Sequence, residues 1–386
     1  MASVAPSAAE HAASMTSYFE AGVVLGNQYR ENRGPFRKDS DGRLHPEILD
    51  AFREHGFYIF EGVVSEGEIA ELRVDMQFLL DHAPTEKNSD VDAQGRPAYG
   101  SEFARSPYSF IKPLSDPWGG TELLNGRHPH QMVQPIPDTS APKETPYLLS
   151  GMCQTMPSGL RLYGHPALLT IAAGINGDDF VPFNDAMFVK AAGLGGSVAW
   201  HQDGVTHWNN PNWDPGIHGF NFQVQLYDTT PANCLWIIPG THRKGRADIR
   251  AMIKDNAGSE LLPGAIPLTC KPGDATIVNR QVLHCSFANT SEHQRISMTF
   301  GFHRYKSVLG QKGALSQAKE QPVYDAKRID ERASVIQVAI DARNQYYPRE
   351  ERFDYAPFHD RQDDFRWNDE TYERVIKDYN LKDLAI

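Results

Sequence analysis

Two short stretches in which polar and apolar residues alternate constrain this chain more than any other feature. Over 221–227, Phe222, Val224 and Leu226 fall on one side, and Asn221, Gln223, Gln225 and Tyr227 on the other. Over 295–300, Ile296, Met298 and Phe300 oppose Arg295, Ser297 and Thr299. A period of two is the strand period, because successive Cβ atoms point to opposite faces. Between about 180 and 303 the chain reads as several short strands separated by turns, with Pro272-Gly273-Asp274 as a tight-turn signal. Short strands at regular spacing predict a sandwich or a barrel. The residues opposite the apolar ones carry amides, hydroxyls and a guanidinium, which predicts strands lining a wet cavity.

The rest of the chain divides around this region. Ile48, Leu49 and Phe52 give 45–55 the spacing of a short helix, ended by Gly56, and 57–60 reads as a strand. Ser65 and Glu68 fit a capping box that opens a helix with the stripe Ile69, Leu72, Met76, Leu79 and Leu80. Residues 84–150 are rich in Pro, Gly, Asp and Ser. A structureless connection this long is uncommon inside a compact domain unless it covers something, so it is expected to be a lid-like insertion. Residues 1–40, Ala/Ser-rich and then polar, are expected to form a flexible arm. The expected organisation is that arm, a domain over 41–310, and a helical or irregular extension over 311–386 with a helix near 370–379.

Composition narrows the partners. The 386 residues are 40% apolar and carry a formal charge of −11, which gives no reason to expect nucleic acid or an anionic membrane as partner. No apolar run approaches membrane-spanning length. The amino terminus lacks a basic n-region and a continuous apolar segment, so a cytoplasmic location is expected. Cys153, Cys234, Cys270 and Cys285 occur singly, as reduced thiols would. A small molecule is the expected partner. The insertion and the C-terminal extension are the candidates for contact between copies of the chain.

The chemistry concentrates in a few residues. His201 and Asp203 stand two apart in AWHQDG, so on a strand both face the same way and can hold one ion together. With fifteen histidines, about one such pair is expected by chance, so a third ligand is needed. His284, in VLHCSF, is the candidate. Two histidines and a carboxylate on one side of a metal leave the other side open, the arrangement of non-haem iron(II) oxygenases. Arg295 follows on a polar strand face, where a guanidinium offers a two-pronged donor to a carboxylate, and Ser297 can add a hydroxyl. His207 and Trp208, just after the pair, are candidates to face a substrate. His242 reads as structural, His293 as an exposed loop residue and Cys285 as core. Tyr108, Phe110 and Trp118 could line a lid or simply anchor loops by burial.

Residues from about 45 to 305 resemble the phytanoyl-CoA dioxygenase (PhyH) superfamily of iron(II)/2-oxoglutarate oxygenases. The resemblance rests on GFYIFEGVVSEGEIAEL, WHQDG, CLWIIPGTHRKG and GDATIVNRQVLHCSFANTSEHQRIS, in that order. It implies a mainly β fold with flanking helices, a double-stranded β-helix (a cupin-like jelly-roll barrel) with the metal in its mouth. It further implies iron held by His201, Asp203 and His284, and 2-oxoglutarate held by Arg295 with Ser297 assisting. Gln223 and Lys190 would contribute to the cosubstrate pocket, and O2 would be the oxidant. The sequence departs from the family where Ala232-Asn233-Cys234-Leu235 lacks the usual glycine, and in the long insertion. Relatives that halogenate replace the carboxylate by a small residue, so Asp203 favours hydroxylation, desaturation or ring closure. The implied activity is hydroxylation of a small, mostly uncharged natural product or an amino-acid derivative. An acyl-CoA hydroxylase, a catalytically silent binding barrel and a zinc hydrolase on the same ligands remain as alternatives. Arg243, Lys244 and Arg246 form a small basic turn.

Overall fold

The structure, a computed structural model, describes residues 5–203, 219–312 and 322–382. His207 and Trp208 lie outside the described residues. In chain order the strands are β1 (Arg33–Gly34), β2 (Phe57–Phe60), β3 (Tyr108–Ile111), β4 (Thr145–Ser150), β5 (Val181–Lys190) and β6 (Val198–His201). They continue as β7 (Gly219–Gln225), β8 (Leu235–Ile238), β9 (Ile266–Leu268), β10 (Ala275–Asn279), β11 (Leu283–Ser286) and β12 (Arg295–His303). Eight of them form one sheet, in the order β1-β2-β10-β7-β12-β5-β4-β3, and β6-β11-β8-β9 form a smaller one.

The two alternating stretches become neighbours. β7 and β12 pair antiparallel with Thr299 opposite Gln223 and Met298 opposite Val224, so polar meets polar and apolar meets apolar across the ladder. Phe220, Phe222, Val224, Met298 and Phe302 enter the main core. Helices Glu66–Asp81, Pro157–Tyr163, Pro166–Asn176 and Ala326–Tyr346 supply buried residues to that same core. The other face looks across a cavity at the smaller sheet, since Asn221, Gln223, Arg295 and Thr299 line the same space as Val198, His201, Leu235 and His284. This is the double-stranded β-helix with flanking helices that the resemblance implied. Helix exceeds strand among the described residues, about 39% against 21%, yet the strands build the cavity wall.

Local signals early in the chain correspond to what forms there. The helix Pro46–His55 stops at Gly56, whose φ is 82°. A Cβ at that glycine would lie 2.3 Å from Cγ2 of Val282, so both the backbone turn and the close approach require its absence. Ser65 and Glu68 form the reciprocal capping box of helix Glu66–Asp81.

Three stretches differ from expectation. Instead of a flexible arm, Ala8–Gly26 is a 19-residue helix with its own capping box, Ser7 with Glu10. It lies against the smaller sheet: Tyr18 stacks on Trp236 at 5.0 Å and its hydroxyl donates to the Leu262 carbonyl at 2.8 Å. Burial of this outer face, with Trp200, Trp236, Cys285 and Phe287 in one cluster, supplies the apolar partner that an Ala-rich helix lacks in isolation. The insertion is only partly irregular. β3 and β4 pair with each other and extend the large sheet through β5, while 112–144 crosses toward the cavity. Near 370–379, one helix gives way to three short turns, Asp369–Thr371, Tyr372–Ile376 and Tyr379–Lys382, interrupted at Asp378 with φ 57°.

The long C-terminal helix is Ala326–Tyr346, buried along most of its length. It carries charges inward, each answered. Arg332 donates to the Phe183 carbonyl at 2.6 Å and sits 3.7 Å from Asp185. Arg343 pairs with Glu68 at 2.6 Å and with Glu350 at 2.5 Å. Buried charges persist where they are paired in this way.

Candidate active site

Strand pairing brings the two candidate histidines together. β11 runs antiparallel to β6 with His284 directly opposite His201, and their rings lie 4.0 Å apart. In each ring Nδ1 meets the carbonyl two residues back, Ala199 for His201 and Val282 for His284, both at 2.8 Å. A carbonyl can only accept, so Nδ1 carries the proton and donates. Nε2 therefore points into the cavity with its lone pair, the orientation that ligating histidines take from their outer hydrogen bond.

Asp203 follows β6 by two residues. Its Oδ1 is 3.4 Å from Nε2 of His201 and its Oδ2 is 3.7 Å from Nε2 of His284. Ligand atoms of all three lie within 4.8 Å of one another, and all three residues are buried. Asn221 of β7 donates to Oδ2 at 2.8 Å, and Arg127 of the insertion donates to Oδ1 at 2.8 Å. Burial pushes the Asp203 carboxyl upward. Arg127, His201 and His284 together outweigh that and hold it well below the usual carboxylate range. Burial, helped by His201, depresses His284 to about 3. An ionised carboxylate and an uncharged imidazole are the protonation states a metal needs. Two nitrogens, one oxygen and open space beside them fit iron(II).

The same cavity, about 230 Å³, reaches Arg295. The Arg295 guanidinium, 3% exposed, donates to Gln223 Oε1 and lies 3.5 Å from Ser297 Oγ, while its Nε has no partner among the described residues. No carboxylate pairs with it among the described residues. A buried cation with an orphaned donor fits the distal carboxylate of a dicarboxylic acid. Ser297 lies behind it, 3.4 Å from Thr299 Oγ1, and Thr299 itself lines the cavity.

Lys190 is not brought to the cavity. It pairs across from Arg295 in the β5–β12 register, and its Nζ donates to the Phe287 carbonyl at 2.6 Å. Burial, with Arg295 adding repulsion, pushes that ammonium well below its ordinary value. Of the flanking residues weighed from sequence, His242 is buried on the Arg53 carbonyl at 2.9 Å and His293 is exposed. Tyr108 is buried with its hydroxyl on the Leu79 carbonyl, Phe110 packs against the main core, and Trp118 lines the cavity.

Sequence reasoning missed the cover. Leu124 and Arg127 join Trp118 in the lining, and the His128 ring stacks 4.1 Å from His201. Side chains, rather than a ladder, hold this segment. Asp116 accepts from the backbone of Gly119 at 2.9 Å and Met132 at 2.8 Å, and Glu260 accepts from Val133 at 2.6 Å. No periodicity marks such residues. The acceptor Asp116 at an otherwise shapeless turn was the one signal available.

Comparison with known proteins agrees with this geometry. Residues 161–297 match the family model described as Phytanoyl-CoA dioxygenase (PhyH). The chain is 24% identical to a phytanoyl-CoA dioxygenase of Arabidopsis thaliana over 74% of its own length and 95% of that protein. It is likewise 24% identical to phytanoyl-CoA dioxygenase domain-containing protein 1 of Danio rerio, over 72% of this chain and 96% of that one. Among solved structures it is similar to EctD from S. alaskensis with 2-oxoglutarate and 5-hydroxyectoine. There the identity is 17%, the TM-score 0.49, and the coverage 75% of this chain and 86% of that one.

Proposed function

We propose that this chain, an iron(II)- and 2-oxoglutarate-dependent dioxygenase of the phytanoyl-CoA dioxygenase kind, hydroxylates an unactivated C–H bond of a small organic molecule. The observation that carries the reading is one cavity holding both a His-Asp-His triad and a buried guanidinium that has no carboxylate partner among the described residues. His201, Asp203 and His284 would hold the iron, and Arg295 the distal carboxylate of 2-oxoglutarate. Gln223, which now accepts from Arg295, would give way or turn. Bound iron with 2-oxoglutarate and O2 supplies oxidation of R–H to R–OH, with succinate and CO2 as the other products.

The chain's own residues aim this chemistry. Asn221 fixes Asp203 from the β7 side, and the two backbone carbonyls fix the imidazoles. Trp118, Leu124 and Phe183 present apolar surface to the space beside the triad. Retention of Asp203 leaves no vacancy for a halide, which favours hydroxylation over halogenation.

The names of the curated relatives favour one second reading, the same chemistry on a fatty acyl-CoA. Succinate release from 2-oxoglutarate, with and without iron and O2, tests the common part. No succinate and no bound iron would point to a silent barrel, and turnover of a substrate without O2 would point to a zinc hydrolase. Comparing a free acid with its CoA thioester as substrate separates the two readings.

A further inference from the structure

We infer that Arg127 anchors a carboxylate on the substrate, so that the substrate class is small organic acids. The inference rests on the iron and 2-oxoglutarate reading above. Among the described residues, three ionic side chains line the cavity: Arg127, Asp203 and Arg295. With iron and cosubstrate bound, the two charges of the ion cancel the two of 2-oxoglutarate. Asp203 offsets one guanidinium. The other is left over. An uncompensated cation, mostly buried and beside a divalent ion, is unfavourable, and a ligand with one negative charge removes the imbalance.

Geometry assigns the surplus to Arg127. Arg295 lies on β12 within the wall, behind Gln223, where the cosubstrate's far end is expected. Arg127 comes from the opposite side, on the segment that also brings Trp118 and Leu124. Its side chain is 11% exposed. Nη1 lies on Asp203 at 2.8 Å and Nε contacts Nε2 of His128 at 3.3 Å, while Nη2 has no partner among the described residues. Asp203 shows that a carboxylate fits this guanidinium. When the metal draws on the Asp203 charge, the fork is free to take a second carboxylate in the same plane.

The position of the anchor also limits where oxidation occurs. Arg127 touches a candidate metal ligand, so a carboxylate held by it lies close to the iron. The C–H bond oxidised is then near the acid group, with the apolar remainder against Trp118, Leu124 and Phe300. A CoA thioester of the same acid lacks the anion at this place.

The test uses two probes of equal size, hexanoate and hexanamide, titrated under argon into the full chain loaded with iron(II) and saturating 2-oxoglutarate. The readout is the visible absorption of the iron–2-oxoglutarate complex, which shifts when a ligand displaces water beside it. Hexanoate is expected to bind at least about tenfold more tightly than hexanamide in wild type. In R127Q that ratio should fall to within about twofold. R127K should retain part of it, and the affinity for 2-oxoglutarate should stay within about threefold in both. Equal affinity of the two probes for wild type, or no binding of either, overturns the inference. So does weakened 2-oxoglutarate binding in R127Q at the iron content of wild type, which would give Arg127 to the cosubstrate. If wild type itself forms no iron–2-oxoglutarate complex, the proposed function fails first and the inference with it.

Discussion

The wall of the cavity and its cover are built on different principles. In the wall, β6, β7, β11 and β12 place His201, Asn221, His284 and Arg295 by backbone ladders whose register leaves no choice of face. In the cover, 112–144 is pinned by side-chain acceptors, chiefly Asp116 and Glu260. Ladders do not titrate, whereas carboxylates do. The wall should therefore keep its geometry across a wide pH range, while the cover depends on protonation and on single residues. Rigid placement suits metal ligands, and local adjustability suits the side that meets the substrate.

The largest expected effect breaks the wall. His201→Ala, Asp203→Ala and His284→Ala should each reduce iron-dependent succinate formation to background and lower the iron content of the purified protein. Circular dichroism should be unchanged. A variant of Asp203 that kept full activity would remove the triad.

The next prediction probes the cover. Burial raises the Glu260 carboxyl to about 7, against the opposing hydrogen bond from Val133. In the unfolded chain a glutamate titrates near 4.3, so the folded chain binds this proton more tightly between the two values. The stability it contributes is complete below about 4.3 and is lost as pH climbs through 7. The difference in unfolding free energy between wild type and Glu260→Gln should change by up to roughly 3 kcal/mol over that window, in denaturant titrations at several pH values. A constant difference would mean that the carboxyl does not titrate there.

Arg295→Ala sharpens the wall's division of labour. Losing a charged pair should cost about 2 kcal/mol, or roughly a 30-fold higher KM for 2-oxoglutarate, with kcat at saturation much less affected. The smallest effect comes from outside both regions. Ser65→Ala removes the cap of helix Glu66–Asp81 and should cost about 1 kcal/mol of stability with KM unchanged.

The same contrast decides what could be read from the sequence. Gln223 on one strand, and Arg295 and Ser297 on another, were legible as polar faces because a strand converts spacing of two into direction, while their meeting on one face is read from the register. His201 and His284 were legible through their motifs, although only the register shows them opposite one another. Arg127 was not legible, since nothing in GRHPH announces which way an irregular segment turns. The helix Ala326–Tyr346 escaped for another reason. Its buried surface includes Arg332, Gln337, Asp341 and Arg343, so no clean apolar stripe appears, and their partners Asp185, Glu68 and Glu350 lie far away in sequence or beyond its end. The amino-terminal helix offered Ser7 and Glu10 as a cap, but little apolar contrast to go with it.

The alternation along β12 sets a rule for how genes of this kind can drift in length. One codon gained or lost midway along that strand would slide Ile296 and Met298 toward the metal and drive the guanidinium into packed hydrocarbon, or else uncouple the strand from both neighbours. Length changes should therefore be barred from this strand and from its neighbour β7, and accumulate in the irregular stretch that roofs the iron. Reaction type would then be inherited with the one, and choice of substrate would vary with the other.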